Sequence, residues 1–84
     1  MRIIATIPHP RIKISVFQMN AKFLLKMEAG PYEQTYKIQE DEITSVEQLE
    51  RICNEEFMNT VIRRFESMMN DFEKALGAAQ ERQA

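Results

Sequence analysis

Apolar residues in the last third of the chain recur at a helical spacing. Met58, Val61, Ile62, Phe65, Met68, Met69, Phe72, Ala75 and Leu76 form three columns, Met58/Phe65/Phe72, Val61/Met68/Ala75 and Ile62/Met69/Leu76, each with a seven-residue step. The first half alternates instead. Residues 2–7, 11–19, 22–28 and 32–39 are rich in Ile, Val, Phe, Tyr and Thr, and turn residues separate them: Pro8-His9-Pro10, Asn20-Ala21 and Ala29-Gly30-Pro31. Connections this short favour an antiparallel meander over parallel crossovers.

Alternation must agree across all four strands, because a slip of one residue moves every side chain to the other face. A two-residue turn at Asn20-Ala21 sets Val16 opposite Leu25, Ile14 opposite Met27 and Gln18 opposite Phe23. A turn at Gly30-Pro31 sets Leu25 opposite Tyr36 and Phe23 opposite Ile38. A turn at His9-Pro10 sets Ile7 opposite Ile12, Ala5 opposite Ile14 and Ile3 opposite Val16. One face then collects Ile3, Ala5, Ile7, Ile12, Ile14, Val16, Phe23, Leu25, Met27, Tyr36 and Ile38. The other collects Arg2, Thr6, Lys13, Ser15, Lys26, Glu28, Thr35 and Lys37, so Ser15 and both flanking lysines are expected to be exposed.

Helix follows sheet. Thr44-Ser45-Val46-Glu47 has the form of a capping box, a hydroxyl at the cap and a glutamate three residues on, each satisfying an orphan amide. No proline or glycine then intervenes until Gly77, where the helix is expected to fray or stop. The expected fold is α+β: a four-stranded antiparallel meander, order 1-2-3-4, with one face under a long C-terminal helix or a short-plus-long pair broken near Asn54-Glu55-Glu56. Residues 1–77 would form one domain and residues 78–84 a frayed or disordered tail.

Length turns the helix into a functional argument. Read as one helix, residues 45–76 would span about 48 Å at 1.5 Å per residue, whereas eight-residue strands span about 27 Å. The distal stripe overshoots the sheet it covers. Four to six large side chains left wet would each forgo about 1.5–3 kcal/mol of burial, a sum comparable to the roughly 5–15 kcal/mol stability of a typical domain. The remedy is a partner, and Phe65, Met68, Met69, Phe72 and Leu76 are the residues expected to meet it. Methionines suit such a surface because they repack around imperfect shapes.

Composition adds exclusions. The 84 residues carry 44% hydrophobic and 29% charged side chains, two glycines and a net charge of −2. Disordered and fibrous classes are therefore set aside, and no global field draws the molecule to nucleic acid or an anionic membrane. One cysteine cannot make an internal disulfide. No apolar run approaches the roughly 20 residues of a membrane span, and a cytoplasmic location follows by default.

Candidate chemistry is thin. His9, between two prolines, has no orienting partner in the sequence for acid–base work. Cys53 lies at an apolar helical position beside Ile52, and Arg51 projects about 200° away from it around the helix, so it reads as a structural thiol. One cysteine and one histidine exclude zinc and iron–sulfur sites. Glu40-Asp41-Glu42 and Glu55-Glu56 lack the alternating oxygens and the glycine of a calcium loop. Ser15, Ser45 and Ser67 have no neighbouring base, and the glycines are too few for a phosphate cradle. No catalytic residue, cofactor or metal is expected.

The polar sheet face supplies the alternative. Arg2, Lys13, Lys26 and Lys37 share it with Phe17 and Leu24, which face each other across the central hairpin, and basic residues interleaved with an aromatic on a sheet can grip single-stranded nucleic acid. Four antiparallel strands followed by a helix resemble, in topology, the PUR-type single-strand-binding repeat, a likeness of fold with no residue motif behind it. The expected function is thus a non-enzymatic adaptor or accessory subunit, docking on a larger assembly or self-associating through its distal helix. A single-stranded nucleic-acid binder stands second.

Overall fold

The computed structural model describes the backbone of residues 2–82 and the side chains through residue 80. It is an α+β arrangement. Strands β1 (Arg2–Ile7), β2 (Lys13–Met19), β3 (Lys22–Ala29) and β4 (Tyr32–Gln39) are followed by helices α1 (Val46–Ile52) and α2 (Glu55–Arg82). The sheet is an antiparallel meander in the order β1-β2-β3-β4.

Two tight turns set the register of the last three strands. Asn20 and Ala21 both take positive φ, 49° and 62°, the conformation a two-residue hairpin needs to match strand twist. Gly30, at φ 60°, precedes Pro31, whose ring holds the next φ negative. Val16 accordingly faces Leu25, Ile14 faces Met27 and Leu25 faces Tyr36, as alternation requires. Ala21 pays for its turn with a Cβ in the left-handed region. Ala21→Gly is therefore expected to stabilise the protein by about 0.5–1 kcal/mol, read as a raised urea midpoint with an unchanged slope.

The first hairpin differs from expectation. Ile7 pairs with Ile14, not Ile12, and Ala5 with Val16, so the pairing is shifted by two residues. Proline cannot take the positive φ of a two-residue hairpin turn, and the chain instead opens a loop from Pro8 to Ile12. His9 closes it: the backbone amides of Arg11 and Ile12 donate to its Nδ1 at 3.1 and 3.2 Å. A shift of two preserves parity, so Ala5 and Ile7 stay on the core face. A bulge between Ile3 and Ala5 then breaks it. Ile4 packs on the core, while Ile3 lies opposite Phe17 on the other face and is 52% exposed. Arg2, opposite Gln18, leaves the polar face to which alternation had assigned it.

The core fills the space between one sheet face and the helices. Ile7, Ile12, Ile14, Val16, Leu25 and Met27 meet Ile43 and Leu49 from the α1 region and Met58, Val61 and Phe65 from α2. Ser15 corrects a second expectation. It is 1% exposed on the outer face, a small side chain between Thr6 and Lys26 in a central strand, overhung by larger neighbours.

A single asparagine joins the helices. Asn54 Oδ1 accepts from the Phe57 amide at 2.9 Å and so caps the start of α2, while its Nδ2 donates to the Arg51 carbonyl at 3.1 Å and closes the end of α1. Asn54→Ala is expected to cost about 1–2 kcal/mol. Asn54→Asp, which keeps only the acceptor, is expected to recover part of that in thermal melts. At the front of α1 the cap is Ser45, accepting from the Gln48 amide, and Gln48 Oε1 reaches back to the Thr44 amide at 2.6 Å. The box therefore uses Ser45 and Gln48, one residue beyond Thr44 and Glu47.

Gly77 does not end the helix, which continues to Arg82. A mid-helix glycine costs about 1 kcal/mol against alanine, and the neighbours Lys74, Ala75, Leu76, Ala78, Ala79 and Gln80 are strong helix formers that outweigh it. The tail expected to fray from residue 78 is helical as far as Arg82, and residues 83–84 lie outside the described residues.

Candidate functional site

Helix α2 runs back along β4. Phe57 meets Tyr36 edge-on with ring centroids 5.7 Å apart, Gln34 Nε2 donates to the Val61 carbonyl at 3.1 Å, and Phe72 meets Tyr32 edge-on at 6.3 Å. These three contacts follow β4 from its middle to its first residue. With 28 residues α2 is about 42 Å long, and about 15 Å of it extends beyond Phe72, past the last sheet residue it touches. The long dimension of the molecule, 53 Å against 28 and 18 Å, reflects this overhang.

Burial divides the stripe. Phe65, expected at the partner surface, is 6% exposed and belongs to the core, because the sheet still lies beneath it. Met68 is half-buried against that core. Met69, Phe72 and Leu76 are 40%, 56% and 44% exposed. An open groove of about 290 Å³ leads from this stripe towards the sheet, between Ile62, Phe65 and Met69 on the helix and Ile12, Ala29 and Tyr32 beneath, with Arg11 and Glu66 also lining it.

The outer sheet face carries Phe17 and Leu24 facing each other, as alternation placed them, and gains Ile3 through the bulge. Ile3, Phe17 and Leu24 form an apolar row across β1, β2 and β3, ending at Lys37 on β4. Phe17, Leu24, Lys26, Glu33 and Thr35 line a shallow depression of about 170 Å³ there. Lys26 is paired with Glu33 at 3.3 Å, a partly exposed contact worth little stability but enough to offset one cation. Lys13 faces Glu28 across the strands. Of the residues proposed to hold nucleic acid, Phe17, Lys13, Lys26 and Lys37 share this face, and Arg2 does not.

The remaining chemistry is occupied with structure. The Nδ1 of His9 is committed to two backbone amides of its own loop. Cys53 is half-buried at the end of α1, where its amide donates to the Leu49 carbonyl. Burial, with a smaller contribution from the Glu50 carboxylate, pushes its thiol above the ordinary value. The folded protein thus holds this proton more tightly than the unfolded chain. The associated stability is full below the unfolded thiol pKa of about 8.5 and is lost as pH rises through the higher folded value. At neutral pH Cys53 is expected to react with a disulfide reagent more slowly in native protein than in urea, and equal rates would contradict the burial. Among the described residues no three His, Cys, Asp or Glu side chains gather to hold a metal, and no helix is long and apolar enough to cross a membrane.

The chain matches no family model, no curated protein and no solved structure.

Proposed function

We propose that this chain is a non-enzymatic docking module: a small accessory subunit whose sheet and proximal helix form a rigid base and whose distal α2 is the arm that meets a protein partner. One observation carries the reading. Within a single amphipathic stripe, Phe65 is sealed into the core while Met69, Phe72 and Leu76, further along the same stripe, are 40–56% exposed at and past the end of the sheet. Large apolar side chains gathered on one exposed face mark interaction sites more often than they mark idle surface, and helix-in-groove recognition uses anchors at this i, i+3, i+7 spacing.

Phe72→Glu tests it. The variant is expected to keep the native circular dichroism spectrum and to lose the proteins that co-purify with the wild-type chain at native expression. If it unfolds, or if the same proteins co-purify at unchanged yield, the arm is only the lid of its own sheet and the reading fails. Nucleic-acid binding stays second, since Glu28 and Glu33 share the outer face with its lysines and Arg2 lies off it.

A further inference from the structure

We infer that the surface covered by the distal helix is the outer sheet face of a second copy of this chain. The inference rests on the docking role of α2 and names its partner. Among the described residues the exposed large hydrophobics lie in two places only, Ile3 on the outer sheet face and Met69, Phe72 and Leu76 on the arm. The sheet patch is graded, Ile3 52% exposed at the edge strand, Phe17 half-buried and Leu24 8% exposed among its neighbours, so Ile3 and the Phe17 ring are the apolar surface that the arm can cover. The lengths of the two patches agree: Met69 to Leu76 spans about 10 Å along a helix, and a row across three strands spans about 10 Å.

Their charges are opposite. Asp71 and Glu73 project about 100° to either side of Phe72, and Glu66 stands about two turns before Glu73 on the same side, so the apolar stripe is bordered by carboxylates, with Lys74 on the opposite side of the helix. On the sheet, Lys37 ends the apolar row and Lys22 lies beside it, opposite Met19 and Gln39. Among the described residues neither lysine has an ion-pair partner, whereas Lys26 is taken by Glu33. The two acidic residues of this face, Glu28 and Glu33, sit at the far end of the strands. Docking an acid-bordered helix along the Ile3–Phe17 row therefore joins apolar to apolar, and carboxylate to ammonium at the Lys22 and Lys37 end. A single contact of this kind is small beside the roughly 1,000 Å² of stable interfaces, so it populates as concentration rises.

Sedimentation of the purified chain over a wide concentration range, at low and high salt, tests the pairing. The wild type is expected to self-associate, more weakly in high salt. Phe72→Glu is expected to be monomeric. The double variant Lys22→Glu/Lys37→Glu, which alters only surface charge, is expected to weaken association about tenfold, and adding Asp71→Lys and Glu73→Lys in the same chain is expected to restore it. Melting curves confirm that each variant is folded. Association that Phe72→Glu abolishes but the lysine reversals leave untouched would overturn the sheet face as the site while leaving the arm as a docking element. A chain monomeric at every concentration would overturn self-docking outright, and the co-purification comparison would then decide the docking role independently.

Discussion

Phe65→Ala is expected to lower the unfolding free energy by about 3–5 kcal/mol, and Phe72→Ala by only about 1 kcal/mol. The two side chains are identical and occupy the same helical column, seven residues apart. Phe65 lies in the core with 6% of its surface exposed; truncating it leaves a cavity among Ile12, Val61 and neighbours. Phe72 is 56% exposed and loses chiefly its edge contact with Tyr32. For a domain of this size each kcal/mol shifts the melting temperature by about 4–8 °C, so the first variant is expected to melt far below the wild type and the second close to it. The comparison belongs at low concentration, where association does not bury Phe72. Equal losses there would place the distal stripe inside the protein's own core.

Val16→Asp is expected to abolish folding. Val16 is fully enclosed in a central strand between Ala5 and Leu25, where a carboxylate finds neither water nor a cation. A cost above about 4 kcal/mol is expected for an unpaired buried charge, a large share of the roughly 5–15 kcal/mol available to a domain. Loss of the strand signal in circular dichroism at 25 °C is the readout. Thr35→Asp, exposed on the outer face and opposite Lys26, is the folded control. Ser15 cannot serve in that role, because its neighbours close over it.

How far the fold could be read from sequence depends on the degeneracy of particular residues. Asn20-Ala21 and Gly30-Pro31 admit one loop length each, so the pairing of β2, β3 and β4 follows from them residue by residue. Pro8-His9-Pro10 admits no tight hairpin, and the loop that replaces it depends on a histidine ring capping two amides, which no local pattern announces. Ile3 and Ile4 are the same residue, so a bulge that exchanges them leaves no trace in the hydrophobic pattern. Thr44 and Ser45 are both competent caps, and Glu47 and Gln48 both competent partners, hence the displacement by one. The columns of α2 specify which side of the helix is apolar but not where the sheet beneath it ends. That is why Phe65 and Phe72 looked alike and only the position of Tyr32 separates them.

The order of elements along the chain has a consequence for biosynthesis. Every strand pairs with its neighbour in sequence, so the meander can be complete once Gln39 has emerged, before either helix exists. Its core face, with Val16, Leu25 and Met27, is then covered in steps, first by Ile43 and Leu49 and last by Phe65, 26 residues after Gln39. At 5–20 residues per second that interval lasts roughly 1–5 s, whereas hairpins close in microseconds. The nascent chain therefore carries a finished but only partly covered apolar sheet for seconds. In that window a chaperone, or the sheet of a neighbouring nascent chain, competes for the surface that α2 later claims.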